Sequence, residues 1–270
     1  MKNAGIVGAT GGSVGFAGRV ALVTGASRGI GAVIARVLAE QGMLVALNAR
    51  SAQVLVVAEE LRQRGLRVAA YQADISQKTQ VDAMVAQVEA ELGPLYLLVN
   101  NAGLLRTGPT PDLSEADWDE TFAVDVKGVF LCSQAVIRRM MPRGQGRIVN
   151  VASIAGQIVR VKQIAYCAAK AAVIHFSRCL AVEMAPYNIT VNCLCPGMTQ
   201  TEMLVESAAA RGLDLAAMVA LIPHGRMAEP EEHAHLVAYF AADEAAHVTG
   251  QVVSVDGGQS QFMPLAPVKW

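Results

Sequence analysis

The chain has 270 residues, 53% of them apolar and 17% charged, with a net charge of −1. That composition is too apolar for a disordered chain and too balanced for a nucleic-acid-binding surface. Mean hydropathy is high at +0.36, yet no run approaches the ~20 consecutive apolar residues of a spanning helix; strands buried on both faces account for the excess.

Residues 1–18 are rich in Gly, Ala, Ser and Val and lack periodicity, so they read as a flexible tail ahead of one domain over 19–270. Within the tail, Gly8-Ala9-Thr10-Gly11-Gly12 looks like a nucleotide turn but lacks the strand before it and the full helix after it. From Arg19 onward short apolar runs predict strands at Val20–Val23, Leu44–Leu47, Arg67–Tyr71, Leu95–Val99, Ile148–Val151, Ile189–Leu194 and Gln251–Val255. Amphipathic stretches at 29–41, 51–64, 76–91, 114–141, 164–185 and 229–242 predict the helices between them. This alternation predicts a single α/β domain: a doubly wound, Rossmann-type parallel sheet of about seven strands with helices on both faces. Residues 200–222 break the rhythm as two short helical pieces, an insertion expected to cover a ligand crevice.

The five cysteines (Cys132, Cys167, Cys179, Cys193, Cys195) form no CxxC pair and read as small core residues. No metal is expected. The N-terminus lacks the features of a signal peptide, and the expected address is the cytoplasm.

Directly after the first strand, Thr24-Gly25-Ala26-Ser27-Arg28-Gly29-Ile30-Gly31 opens a helix. Glycines allow a tight turn and close approach of a pyrophosphate, which the helix N-terminus then attracts. The spacing is GxxxGxG rather than the commoner GxGxxG. An NAD-preferring site carries an acidic residue after the second strand to bind the ribose 2′-hydroxyl. Here that strand ends Asn48-Ala49-Arg50 without a carboxylate, and Arg50 and Arg28 are both suited to a 2′-phosphate. NADP(H) is therefore expected over NAD(H).

Tyr166-Cys167-Ala168-Ala169-Lys170 lies on a predicted helix, where i,i+4 spacing puts phenol and ammonium on one face. An adjacent ammonium favours the phenolate and lowers the tyrosine pKa from ~10, poising it for proton transfer. Ser153, thirteen residues earlier at a strand end, offers a hydroxyl to a carbonyl that Tyr166 protonates.

These motifs together resemble the short-chain dehydrogenase/reductase family, from about Arg19 to Gly258. The likeness rests on the TGASRGIG turn, Asp74 after the third strand, Asn100-Asn101-Ala102-Gly103 after the fourth, Ser153, the YxxxK pair, Pro196-Gly197, and Val255-Asp256-Gly257-Gly258. The resemblance implies that Ser153 orients the substrate carbonyl, Tyr166 is the acid/base, and Lys170 lowers its pKa while holding the nicotinamide ribose. It implies that Asp74 and the Ile75 backbone contact the adenine. Asn101, with Ala102 and Gly103, would hold sheet and cofactor in register; Thr199 and Thr201, after Pro196-Gly197, would grip the carboxamide. It further implies a homotetramer built on helices 114–141 and 164–185.

The family's fourth catalytic position, usually Asn, is here Asp125, within Val124-Asp125-Val126-Lys127-Gly128. An ionised Asp only accepts hydrogen bonds; it is free to pair with Lys170 directly or through water, weakening the ammonium's hold on Tyr166.

Other features carry weaker expectations. His224, His233, His235 and His247 read as surface or helix-end residues, Arg138, Arg139, Arg143 and Arg147 as a basic stretch, and Phe262-Met263-Pro264-Leu265 with Trp270 as a subunit contact. The leading expectation is an NADP(H)-dependent carbonyl reductase or alcohol dehydrogenase acting on a small, hydrophobic ketone or secondary alcohol, with no nucleic-acid or membrane partner. Leu104, Leu105, Ile154, Ile158, Val159, Met203 and Leu204 are expected to shape the substrate pocket. The alternatives are a 3-oxoacyl-carrier-protein reductase, which would dock its acidic carrier on the basic stretch, and a non-catalytic NADPH-binding sensor or scaffold.

Overall fold

The computed structural model describes residues 15–262 apart from 211 and 213. Its strands are β1 (Val20–Thr24), β2 (Leu44–Ala49), β3 (Val68–Gln72), β4 (Leu95–Asn100), β5 (Gly146–Val151), β6 (Ile189–Pro196) and β7 (Val252–Val255). They form one sheet in the order β3-β2-β1-β4-β5-β6-β7, with every neighbouring pair parallel. The helices are α1 (Gly29–Glu40), α2 (Gln53–Gln63), α3 (Lys78–Leu92), α4 (Glu115–Phe122), α5 (Val129–Met140), α6 (Ile164–Met184), α7 (Glu202–Ala210), α8 (Leu215–Val219) and α9 (Pro230–Ala241). This is the single doubly wound domain expected.

The strands are mostly apolar because both faces are covered. Along β1, Ala21 and Val23 join Ile34 and Leu38 of α1 and Val237 and Phe240 of α9. Val20 and Leu22 join Val81 and Val85 of α3 and Leu131 and Val136 of α5 on the other face. The chain builds outward from β1 to β3, then returns to β4 and builds the other way. The direction thus reverses between β1 and β4, and a crevice opens beyond their carboxyl ends.

Buried polar groups tie the sheet to its helices. Asn100 donates to Asn150 Oδ1 at 2.8 Å and to Ser133 Oγ on α5 at 3.0 Å, and Asn150 donates to Ser177 Oγ on α6 at 2.8 Å. Every link lies within the sheet–helix layer just below the crevice.

Two expectations need correction. The stretch 114–141 is not one helix: a π-helical segment, Ala123–Gly128, separates α4 from α5. Its wider turn admits an extra residue at the point where Asp125 turns inward, a common device at functional sites. Phe16, assigned to the tail, is fully buried in the core, so the domain starts before Arg19. The glycine-rich stretch 8–12 and residues 263–270 lie outside the described residues. The longest of the described helices is α6. With its following turn, Ile164–Tyr187 is long and apolar enough to cross a membrane by length and composition. It packs against β6 and buries Lys170 and Ser177, which marks it as a core helix.

Candidate active site

A cleft of about 690 Å³ lies at the carboxyl ends of the strands, beneath α7 and α8. It gathers the phosphate turn, Arg50, Asp74, Asn101 to Gly103, Ser153, Tyr166, Lys170, Pro196-Gly197, Thr199 and Thr201. Asp125, expected among them, is not on its wall.

At one end, α1 begins at Arg28 with no capping side chain and no acidic residue in its first turn. Its N–H groups and dipole therefore face the cleft ready for an anion. Gly25 takes φ +66, and a Cβ there would lie 2.6 Å from the Cα of Ala102; only glycine lets β1 and β4 approach this closely. Asn101 completes the joint, donating from Nδ2 to the carbonyls of Thr24 (2.9 Å) and Gly25 (3.1 Å), while Thr24 Oγ1 accepts from the Asn101 and Ala102 N–H groups. This cradle fits the pyrophosphate of a dinucleotide. Asp74 Oδ1 accepts from the Ser76 N–H at 2.9 Å and its hydroxyl at 2.7 Å, fixing the turn that exposes Ile75 to the cleft.

Arg28 and Arg50 both reach the wall, but neither is solitary. Arg28 pairs with Glu206 at 2.9 Å and lies 3.8 Å from Glu202, both on α7. Arg50 lies 3.6 Å from Glu120.

At the other end, β5 delivers Ser153 and α6 delivers Tyr166 and Lys170. Ser153 Oγ accepts the Ala155 N–H at 3.1 Å. Lys170 is buried, donates to the Val151 carbonyl at 3.3 Å, and sets its Nζ 5.5 Å from the Tyr166 ring centre. Asp125 is fully buried behind this group: its Oδ2 lies 3.1 Å from Lys170 Nζ, and its Oδ1 accepts the Leu104 N–H at 2.9 Å. The pairing is direct, with no room for a bridging water at that distance. Gly103 packs on both charges; a Cβ there would sit 3.0 Å from Oδ2 and 3.1 Å from Nζ.

The electrostatics depart from expectation. Lys170 and Ser153 do favour the Tyr166 phenolate, but burial, assisted by the Asp125 charge, outweighs them and holds the phenol above its usual pKa. Lys170 is itself pushed up: burial works against its charge, and Asp125 more than compensates. In this state the phenol keeps its proton at neutral pH.

Beneath the carboxamide-side stretch stands a group the sequence misread. His233 on α9 is fully buried, not at the surface, with Nε2 2.8 Å from Thr199 Oγ1. Because the Thr199 hydroxyl donates to the Gly197 carbonyl at 3.1 Å, Nε2 carries the proton and donates to Oγ1. Burial lowers the His233 pKa to about 4. The unfolded chain, titrating near 6.5, binds this proton first as pH falls, so stability is full above pH 6.5 and declines toward pH 4. About 2 kcal/mol is expected to be lost by pH 5. Thermal melts across pH 5–8 should show this decline, and His233→Gln should flatten it.

Among the described residues no three His, Cys, Asp or Glu side chains gather to hold a metal. The expected basic stretch does not form a free patch. Arg139 and Arg143 pair with Glu89 at 3.1 and 2.9 Å. Arg147 is buried under the Tyr96 ring, 5.5 Å from its centre. An acidic carrier would find little unpaired charge there.

In the substrate half, Leu104, Leu105, Ile154, Met203 and Leu204 line the cleft as expected, but Ile158 and Val159 do not, and Val159 is 89% exposed. Arg160 and Gln163, from the 154–164 segment expected to help select the substrate, stand on the wall. Between them Lys162 takes a left-handed backbone conformation (φ 63).

The sequence matches the short chain dehydrogenase family over residues 19–212. The chain is 42% identical over 250 residues to the (2S)-[(R)-hydroxy(phenyl)methyl]succinyl-CoA dehydrogenase subunit BbsD of Thauera aromatica, covering 92% of this chain and 99% of that one. It is 36% identical to the 2,3-dihydro-2,3-dihydroxybenzoate dehydrogenase of Bacillus subtilis, covering 90% and 97%. Among solved structures, a gluconate 5-dehydrogenase from Burkholderia cenocepacia, in complex with NADP and tartrate, superposes with a TM-score of 0.86 at 33% identity over 92% of this chain and 97% of that one. The chain belongs to the short-chain dehydrogenase/reductase family. It is an oxidoreductase of a family that uses a nicotinamide cofactor.

Proposed function

We propose that the protein is an NADP(H)-dependent oxidoreductase that interconverts a hydrophobic ketone and its secondary alcohol. The observation that carries this reading is the convergence of Ser153, Tyr166 and Lys170 on the same cleft as the uncapped start of α1. Ser153 holds the carbonyl oxygen, and Tyr166 gives it a proton on reduction and takes one back on oxidation. Lys170 holds the ribose hydroxyls and steadies the phenolate once it forms. The nicotinamide, when bound, supplies or receives the hydride. Asp74 and Ile75 border the adenine, Asn101 keeps the two half-sites in register, and Thr199 and Thr201 hold the carboxamide. Asp125 touches no reactant and acts through Lys170.

The missing carboxylate at the end of β2 and the two arginines on the wall support NADP(H) over NAD(H). Alanine at both Arg28 and Arg50 is expected to raise the KM for NADPH at least about tenfold, one lost charge-assisted contact being worth roughly 1.5–3 kcal/mol. The KM for NADH should change little. Equal effects on both would remove the 2′-phosphate from the argument.

The test of the whole reading is initial rates with NADPH and NADH against cyclic, aromatic and acid-bearing ketones; the relatives' names, with succinyl and dihydroxybenzoate groups, put the last of these in the panel. A rate lost in Tyr166→Phe supports it; no turnover with any carbonyl despite cofactor binding would refute it. The free, mostly buried cysteines suit a reducing cytoplasm. Phe130 on α5 and Val182 on α6 are exposed apolar groups on the helices expected to build a homotetramer, and sedimentation would measure that assembly.

A further inference from the structure

We propose that Gln163 binds a second oxygen on the substrate, a hydroxyl close to the reacting carbon, so that the enzyme acts on hydroxyketones and the diols they form in preference to ketones with a single oxygen. This rests on the oxidoreductase reading above and narrows it.

Gln163 holds the N-cap of α6, three residues ahead of Tyr166. The residues favoured at that position, Ser, Thr, Asp and Asn, turn a short side chain onto the free N–H groups of the helix. The Gln163 side chain makes no such bond. Its backbone carbonyl is engaged, accepting the Cys167 N–H at 2.8 Å. The residue is only 8% exposed and lines the cleft, and its amide bonds to no other described residue. Asn48 Oδ1 and Asn100 Oδ1 are sealed in the interior without a partner, whereas Oε1 and Nε2 of Gln163 are not sealed. The space they open to is the cleft.

A buried amide without a partner costs free energy, so once a substrate fills the cleft and expels water the amide needs a partner on that substrate. Leu104, Leu105, Ile154, Met203 and Leu204 around it are apolar. Ser153 and Tyr166 are committed to the reacting oxygen, which leaves the amide for a further one. An amide both donates and accepts, as a hydroxyl does. Side chains three apart at a helix start are neighbours, with Cβ atoms about 5–6 Å apart, so an oxygen on Gln163 would sit about one or two carbons from the carbon that Tyr166 serves. The approach to α6 is held: Lys162 takes its left-handed conformation, and its carbonyl accepts the Gly108 N–H at 2.9 Å.

Calorimetric binding of cyclohexanol and of the 1,2- and 1,3-cyclohexanediols to the NADPH-bound protein reads this without turnover, because the reduced cofactor takes no hydride. At least one diol is expected to bind about tenfold tighter than cyclohexanol, although it is the more strongly hydrated ligand. Gln163→Met, which keeps the length and loses the amide, should erase that ratio, and Gln163→Asn should keep part of it. A purely structural role would weaken all the ligands alike. No diol preferred by the unaltered protein, or a preference that survives Gln163→Met in a variant with an unchanged melting curve, would overturn the assignment. Rates with 2-hydroxycyclohexanone and cyclohexanone then separate the two readings. A preference for the hydroxyketone that vanishes in Gln163→Met supports both, whereas diol-selective binding without reduction of any ketone removes the oxidoreductase reading and leaves the role of Gln163.

Discussion

Replacing Tyr166 with phenylalanine is expected to lower kcat by about 10²–10⁴-fold, the span typical of a lost general acid. Cofactor binding should survive, because Lys170 and the α1 cradle stay in place. The pH profile of the unaltered enzyme should carry the same signature. Burial and Asp125 hold the phenol above its ordinary pKa. Ketone reduction, which needs the protonated phenol, should then stay level through neutral pH and fall only in the alkaline range. Alcohol oxidation, which needs the phenolate, should rise toward that range. A reduction rate already falling below pH 8 would contradict the raised pKa.

Asp125→Asn is the second large effect, and it separates two consequences of one carboxylate. With Asp125 neutralised, the Lys170 ammonium faces Tyr166 unopposed, so the phenolate is favoured and both pH limbs should move to lower pH. Reductase activity at neutral pH should remain or rise. Stability should move the other way. Removing one partner of a buried ion pair typically costs 3–5 kcal/mol, which thermal melts would register. The Leu104 N–H keeps an acceptor in the asparagine oxygen, which limits the loss. Abolished activity in a folded Asp125→Asn protein would show that the charge is needed for turnover itself.

The strands were legible because a parallel sheet covered on both faces demands short, continuous apolar runs, and all seven appear within about two residues of the expected bounds. The phosphate turn and the Tyr166–Lys170 pair were legible because local spacing places them. The break at Ala123–Gly128 was not, since no proline lies inside it and its apolar pattern continues into α5; it follows from where Asp125 must aim. Arg147 looked like part of a basic face when counted with Arg138 to Arg143, yet it lies on β5 and turns inward, a distinction made by strand register rather than by residue type. His233 was misread for a related reason: a polar residue on a helix looks exposed until its partner, Thr199, arrives from a distant loop. Whether Asp125 met Lys170 directly or through water likewise depended on a contact between segments far apart in the chain.

The strand order has a consequence for how the protein is made. β1 pairs with β2 on one side and with β4 on the other, Val20 aligning with Leu44 and with Leu95. The second of those neighbours leaves the ribosome long after the first. At about 5–20 residues per second, the interval from the end of β1 to the start of β4 occupies roughly 4–14 s. Throughout it one edge of Val-Ala-Leu-Val-Thr has no native partner, and such an edge invites pairing with another chain. Nascent-chain handling, rather than the finished fold, is therefore where overexpression of this protein should first run into aggregation, and slower growth at lower temperature with chaperone support should recover more of it.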